Sequence, residues 1–233
     1  MVTEIEEKAA AVRERIAAAA RSAGRLPQSI RLMGVTKYHP AELVAEAAPF
    51  IDLIGENKVQ EASAKKELLA DGCGLPWHLI GHLQRNKARR ALSSFDLIES
   101  LDSKELAETL ERILAEENRK KFPVLLEVNI SGEEAKTGAA PENLPALLEA
   151  IQKECPRLSP EGLMTVASDT ENETELRRQF SRLRLLSEKL RLTSGLELPE
   201  LSMGMSGDFE AAIKEGATIV RVGSAIFGPR LYK

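Results

Sequence analysis

LSMGMSGDFEAAIKEGATIVRVGSAIFG, residues 201–228, contains two short apolar segments that each run into a loop of glycine and serine. The segment between the loops, 208–215, has the composition of a short acidic helix. Glycine lets the backbone approach an anion closely, serine adds a hydroxyl donor, and the N–H groups at a helix start favour negative charge. Two adjacent loops of this kind predict a phosphate site, which in a (β/α)8 barrel lies after strands seven and eight.

Six further apolar segments of strand length precede this stretch. They lie at 30–37, 50–55, 76–82, 96–100, 122–131 and 162–166. Segments with helical patterns separate them, and no low-complexity linker interrupts the order. This alternation predicts an α/β protein with a single (β/α)8 TIM barrel, one domain over residues 1–233. An open doubly wound sheet is the alternative, but no GxGxxG motif follows the first strand, which disfavours its dinucleotide-binding version.

The composition favours a cytoplasmic protein that binds neither nucleic acid nor membranes. The 233 residues carry 32 Lys and Arg against 36 Asp and Glu, a net charge of −4, which provides no general attraction to polyanions. Cys73 and Cys155 are isolated in the sequence, so neither a disulfide framework nor a zinc site is expected. The N-terminal segment is charged and lacks an apolar signal core, and no apolar run reaches the roughly 18 residues of a membrane span.

Polar residues recur where the predicted strands end. Because the active sites of (β/α)8 barrels lie at the carboxyl ends of the strands, these side chains are expected to converge on one rim. They are Lys37, Asn57, His78, His82, Asn129, Ser202, Ser206, Arg221 and Ser224.

Lys37 ends the first predicted strand, IRLMGVTK. A lysine at the end of a buried strand is costly unless it is paired, neutralised or used. Desolvation and a nearby cation such as Arg221 would favour its neutral amine, which can form a Schiff base. The alternative is a side chain just past the strand that points into solvent. An amine beside a phosphate site suggests a phosphorylated aldehyde, either pyridoxal 5′-phosphate (PLP) or the substrate of a sugar-phosphate aldolase.

Arg221 favours PLP over a sugar phosphate. It alternates with Ile219 and Gly223 on the last strand, so all three positions are expected to face the barrel interior. The guanidinium would then lie beside the phosphate loop, where a pyridine nitrogen could bind. A structural ion pair with one of the many carboxylates is an equally open interpretation at this point.

The remaining cationic side chains give weaker signals. His78 and His82 are four residues apart but flank a strand, so their spacing does not make a helical metal pair, and no metal site is expected. His78 could hydrogen-bond within the site or pack in the core, whereas His39 is expected to be an exposed loop residue. A basic cluster is interpreted as a solvated face rather than a nucleic-acid patch. Its members are Arg85, Lys87, Arg89 and Arg90.

An ordered set of motifs covers nearly the whole chain: GVTKYHP, GENKVQE, WHLIGHLQRNK, ESLDS, LLEVNISGEEAKTG, GLMTVAS and the stretch quoted above. This set resembles the YggS/PROSC family of pyridoxal-phosphate-binding proteins. The resemblance implies a barrel of the alanine-racemase N-terminal-domain type that holds PLP as an internal aldimine on Lys37. It also implies where the cofactor residues lie: Asn57 close to the cofactor, His78 near the site, Arg221 at the pyridine nitrogen, and Ser206, Gly223 and Ser224 at the phosphate.

Two classes of function suit such a site: a carrier of PLP, or a PLP-dependent amino-acid racemase. A pyridine nitrogen that faces Arg221 stays unprotonated, which makes the ring a weak electron sink. Racemisation would also need a second base opposite Lys37, which the related alanine racemases take from a tyrosine of a separate domain. No such domain is expected here, Tyr38 is expected to point away from the site, and Tyr232 lies in the tail. The sequence therefore predicts a non-catalytic protein of PLP homeostasis that stores and delivers PLP. It is expected to be a monomer, and apo-forms of PLP enzymes are the candidate recipients.

Overall fold

Eight parallel strands close into a barrel in the computed structural model, which describes residues 3–69 and 73–228. The strands are β1 (Arg31–Val35), β2 (Leu53–Glu56), β3 (Trp77–Leu79), β4 (Leu97–Leu101), β5 (Phe122–Glu127), β6 (Leu158–Met164), β7 (Glu200–Ser202) and β8 (Ile219–Val222). Each strand pairs with the next one along the chain, and β1 also pairs with β8, from Arg31 opposite Ile219 to Gly34 opposite Val222. This closed order confirms the predicted (β/α)8 barrel and excludes the open doubly wound sheet.

Nine α-helices accompany the strands within the described ranges. They are α1 (Glu4–Ser22), α2 (Ala41–Ala47), α3 (Val59–Leu68), α4 (Ala88–Ser94), α5 (Lys104–Glu116), α6 (Leu144–Glu154), α7 (Glu173–Ser194), α8 (Phe209–Lys214) and α9 (Ser224–Phe227). Thr3 caps α1 by accepting a hydrogen bond from the Glu6 amide, and the apolar face of α1 packs against α8 and α9. The first helix therefore supports the two helices that follow the predicted phosphate loops. Over the same ranges, no helix combines the length and the apolar character needed to cross a membrane.

Apolar side chains fill both the layer between strands and helices and the middle of the barrel. Between the strands and the helices, one continuous core includes the fully buried Trp77 of β3 and Phe209 of α8. Inside the barrel, a smaller buried cluster is formed by Met33, Leu53 and Ile219. The interior is therefore a packed core rather than a pore. Arg221 lies two residues beyond Ile219 on β8, which places it on the carboxyl-end side of this apolar cluster.

Candidate functional site

A cavity of about 400 Å³ opens at the carboxyl ends of the strands. Its volume falls in the range of roughly 300–1,000 Å³ that is typical of small-molecule sites. Six of the seven site residues predicted from the sequence line it: Lys37, Asn57, Ser206, Arg221, Gly223 and Ser224. The other lining residues are Val35, His39, Ile80, Val166, Met205, Gly207 and Gly228. Pairing of β1 with β8 thus brings together side chains that are far apart in the sequence.

Lys37 lies two residues beyond the end of β1, in a turn that a hydrogen bond from the His39 amide to the Thr36 carbonyl closes (3.1 Å). Its side chain is half-buried and lines the cavity, so it does not simply extend into solvent. Arg221 reaches the same cavity from β8, which is the neighbour of β1 in the barrel. An amine and a guanidinium therefore share this space.

The two loops of glycine and serine meet at one wall of the cavity. The Gly223 amide donates to Ser206 Oγ (3.3 Å), and the Arg221 amide donates to the Gly204 carbonyl (2.9 Å). Gly204 has φ = +92°, and a Cβ atom there would lie 2.6 Å from the Ala212 Cβ, so the loop packs too tightly against α8 to accept a side chain. These contacts hold the loops together, where hydroxyl and amide donors suit an anionic group.

Arg221 is buried, with 3 % of its surface exposed, and two hydrogen bonds fix its side chain. Nη1 donates to Ser202 Oγ (2.8 Å), and Nη2 donates to the Thr165 carbonyl (2.6 Å). Ser202 in turn donates to Glu99 Oε2 (2.5 Å). Burial lowers the pKa of Arg221 and the Glu99 charge opposes that shift. A guanidinium does not readily give up its proton, so Arg221 presents a fixed donor to the cavity.

His78 is the predicted site residue that does not line the cavity, because it lies against Glu99 instead. Its Nδ1 is 2.7 Å from Glu99 Oε1, and both side chains are buried. Burial alone would raise the pKa of Glu99, but His78, Arg221 and the Ser202 hydroxyl outweigh burial and hold that pKa below its usual value. An ionised carboxylate only accepts hydrogen bonds, so His78 Nδ1 carries the proton. His78 therefore supports Arg221 through Glu99 and Ser202.

His39 corrects one expectation from the sequence. The expected exposed loop residue is 5 % exposed, lines the cavity and stacks on Phe227, with ring centroids 5.1 Å apart. Phe227 belongs to α9, the helix that begins at the second glycine–serine loop. The local sequence around His39 contains no signal for this burial, because the covering ring comes from the opposite end of the described chain.

Two other polar residues near strand ends lie outside the cavity lining. Asn129 Nδ2 donates to the Glu133 carbonyl (2.8 Å), within the loop that follows β5. His82 is exposed, and its Nδ1 lies 3.6 Å from an Asp102 carboxylate oxygen. Among the described residues, no group of three or more His, Cys, Asp and Glu side chains could hold a metal ion. Tyr232, which was expected to lie in the tail, is outside the described residues.

Known proteins resemble this chain over most of its length. The family described as "Alanine racemase, N-terminal domain" matches residues 8–230. The pyridoxal phosphate homeostasis protein of Aquifex aeolicus is 44 % identical over 227 residues, which cover 97 % of this chain and 98 % of that protein. The protein of the same name from Pseudomonas aeruginosa is 44 % identical over 232 residues, which cover 98 % of this chain and 96 % of that protein.

Solved structures agree with the sequence matches. PipY of Synechococcus elongatus with PLP bound has a TM-score of 0.80 and 39 % identity, over 93 % of this chain and 100 % of that one. An unknown protein from Bifidobacterium adolescentis has a TM-score of 0.90 and 42 % identity, over 96 % of this chain and 94 % of that one. The alanine racemase of Corynebacterium glutamicum has a TM-score of 0.68 at 19 % identity, over 95 % of this chain and 62 % of that one, which shows a shared fold alone.

Proposed function

We propose the following function for this chain, which belongs to the family of pyridoxal phosphate homeostasis proteins. The chain binds PLP covalently through Lys37, and it stores and delivers this cofactor without turning over a substrate. The observation that carries the proposal is the joint position of Lys37, Arg221 and the two glycine–serine loops around one cavity. This arrangement offers a separate partner to each polar group of PLP.

The side chains around the cavity fit PLP in chemical type. Asn57 Oδ1 is buried, and no described residue donates a hydrogen bond to it, so this wall offers an acceptor to a ligand hydroxyl. Ser206 and Ser224 offer hydroxyl donors to phosphate oxygens. Arg221 offers an N–H group to a ring nitrogen, and Lys37 offers the amine that an aldehyde requires. Such a set of convergent polar groups in a partly apolar cavity is usual for cofactor sites.

When bound, PLP supplies an aldehyde that couples with amines and a ring that withdraws electrons from the resulting adduct. Arg221 limits the second property. Its guanidinium does not readily give up a proton, so it would donate to the ring nitrogen and keep that nitrogen unprotonated. Glu99 and Ser202 hold the guanidinium in this role. These residues favour retention of the cofactor over stabilisation of a carbanion.

Amino-acid racemisation is the second candidate function, and the position of His39 favours it. His39 lines the cavity together with Lys37, so a second acid–base group is present in the site. Its ring is stacked on Phe227, however, and this contact restricts its movement towards a substrate carbon. Tyr38 is not among the lining residues, and its ring centroid lies 4.9 Å from Lys58 Nζ. Storage and delivery of PLP therefore rank first.

One experiment distinguishes the two candidates: incubation of the purified protein with PLP and L-amino acids in deuterated water. We expect a change in the visible spectrum and, after borohydride reduction, an adduct on Lys37. Both should be lost in Lys37→Ala and kept in the matched Lys58→Ala variant. We expect α-deuterium incorporation at the level of free PLP. Lys37-dependent exchange well above that level would identify an enzyme, and the absence of a Lys37 adduct would refute PLP binding as proposed.

We also propose that the protein acts as a monomer in the cytoplasm and passes PLP to apo-forms of PLP-dependent enzymes. Cys73 and Cys155 are free thiols, as is common in a reducing compartment. Light scattering of the PLP-loaded protein should give the mass of one chain, and a dimer mass would contradict this part. The loaded protein should also reactivate an apo-aminotransferase while a scavenger removes free PLP, and no reactivation would contradict direct delivery.

A further inference from the structure

The turn that carries Lys37 has an unusual backbone conformation. Tyr38 has φ = +67°, in the left-handed region that residues other than glycine, asparagine and aspartate rarely adopt. The His39 amide bonds to the Thr36 carbonyl, so Tyr38 occupies the third position of a four-residue turn, where a positive φ normally calls for glycine. Strained residues of this kind persist only where surrounding contacts hold them.

Glu61 and Lys65 of α3 supply such contacts. Glu61 Oε1 accepts a hydrogen bond from the Tyr38 amide (2.5 Å). Lys65 Nζ donates to the Thr36 carbonyl (2.6 Å) and to Glu61 Oε1 (2.8 Å). The residues before and after Lys37 are therefore both held through their main-chain atoms.

A buried carboxylate completes this network. Glu56 Oε1 accepts from Lys65 Nζ (2.5 Å) and from Thr36 Oγ1 (2.6 Å). Lys65 is 6 % exposed, and the other two side chains are fully buried. Desolvation of two opposite charges offsets much of their attraction, so a buried pair is weak evidence for a role in stability. The geometry that the pair imposes on the turn is a better explanation of its presence beside Lys37.

We infer that Glu61 and Lys65 are positioning residues for Lys37, an inference that rests on the proposed function. They hold the turn at Tyr38 and so direct the Lys37 amine into the cavity, although neither residue lines it. When the amine couples with the PLP aldehyde, a C=N bond replaces the C=O bond, and the aldehyde oxygen leaves as water with both amine hydrogens. Misplacement of an attacking group by about 1 Å can slow a reaction by about 100-fold.

The rate of PLP coupling tests this inference. It is followed by visible absorbance and by the mass of the Lys37 peptide after borohydride reduction. Glu61→Ala removes the anchor of the Tyr38 amide, and we expect it to slow coupling by about 10- to 100-fold. Glu67 is exposed on the same helix, so Glu67→Ala is the matched control and should couple at the wild-type rate. A wild-type rate in Glu61→Ala would overturn the inference and leave the proposed function intact.

A second variant separates positioning from folding. Glycine adopts φ = +67° without strain, so Tyr38→Gly in the Glu61→Ala background should restore coupling to near the wild-type rate. Slow coupling in this double variant, with its fold verified by circular dichroism and thermal unfolding, would overturn the inference even if Glu61→Ala alone fails to fold. If the wild-type protein forms no Lys37 adduct, the proposed function fails and the inference fails with it.

Discussion

Two buried glutamates in the barrel differ in what surrounds them. Burial acts to raise the pKa of Glu99, but the hydrogen bond from His78 and the charge of Arg221 outweigh it and lower that pKa. Glu127 accepts a hydrogen bond from Thr137 (2.5 Å), and burial raises its pKa. The interior therefore stabilises the charge on Glu99 and disfavours the charge on Glu127.

Glu99→Gln should lower the free energy of unfolding by about 3–5 kcal/mol at pH 7, because it removes the charge that compensates buried Arg221. A carboxyl group with a lowered folded-state pKa stabilises the fold above its unfolded-state pKa of about 4.3. That contribution is lost as the pH falls through the folded-state pKa. Urea unfolding at a series of pH values should therefore show that the difference in free energy of unfolding between Glu99→Gln and wild type decreases on acidification.

Glu127→Gln is the matched control for this prediction. It also replaces a buried carboxyl group by an amide, but the charge that it removes is disfavoured by burial. At pH 7 we expect Glu127→Gln to lower the free energy of unfolding by less than Glu99→Gln does. The assigned roles of Glu99 and Glu127 would be contradicted if both variants lowered the free energy of unfolding equally. They would also be contradicted if the difference between Glu99→Gln and wild type grew on acidification.

Single residues could be placed from the sequence where the position depends on strand alternation and strand ends. Lys37 and Arg221 line one cavity, as its position at a strand end predicts for the first and strand alternation predicts for the second. They meet because β1 and β8 are neighbours in the closed barrel. His39 and His78 could not be placed in this way. The first is covered by Phe227 and the second pairs with Glu99, and both partners come from elements that no local pattern connects to them.

Among the described helices, α7 is the longest, and it has a cap at each end. Asn172 Oδ1 accepts from the Thr174 amide (3.0 Å) and from the Glu175 amide (3.2 Å). Gly195 ends the helix at φ = +72°. Because α7 connects β6 to β7 and packs on α8, its caps help to fix where the chain re-enters the barrel before the first glycine–serine loop.

Asn172→Ala should lower the free energy of unfolding by about 1 kcal/mol, since two amides at the helix start lose their acceptor. For a chain of this size the melting temperature should fall by about 2–4 °C, which thermal unfolding by circular dichroism measures. Asn172→Asp is the control, because it keeps the acceptor and adds a charge that a helix start favours. If Asp and Ala lower the melting temperature equally, the cap is not the cause.

The order and type of the elements followed from the sequence more closely than their bounds did. The apolar segment 122–131 was predicted as one strand, whereas β5 ends at Glu127, opposite Met164 at the end of β6. Val128 and Ile130 stay buried beyond that end, where an isolated bridge from Val128 to Ala139 replaces the continuous pairing with β6. The end of a strand depends on the length of its neighbour, and no single segment contains that information.

PLP should stabilise the fold as a whole, because the closed barrel forms the proposed site and the unfolded chain does not. At a free PLP concentration of 100 times Kd, the expected gain is about 2.7 kcal/mol, measured by calorimetry. Pyridoxal at the same concentration should stabilise the fold less than PLP does, since it lacks the phosphate that the loops would bind.

Ser206→Ala is the control at the loops. It should reduce the stabilisation by PLP, because a hydrogen bond to a charged group is lost, and leave the response to pyridoxal unchanged. If PLP and pyridoxal stabilise the wild-type protein equally, the two loops do not bind the phosphate.

The pairing of β1 with β8 also sets a time order during protein synthesis. The ribosome makes Lys37 long before it makes Arg221, so β1 lacks its second neighbour through most of translation. A nascent chain that ends before Ile219 exposes an unpaired strand edge and lacks one wall of the cavity. We expect the protein to begin binding PLP only after β8 has left the ribosome. Stalled nascent chains that end before or after β8, treated with PLP and borohydride, would show whether capture begins at that point.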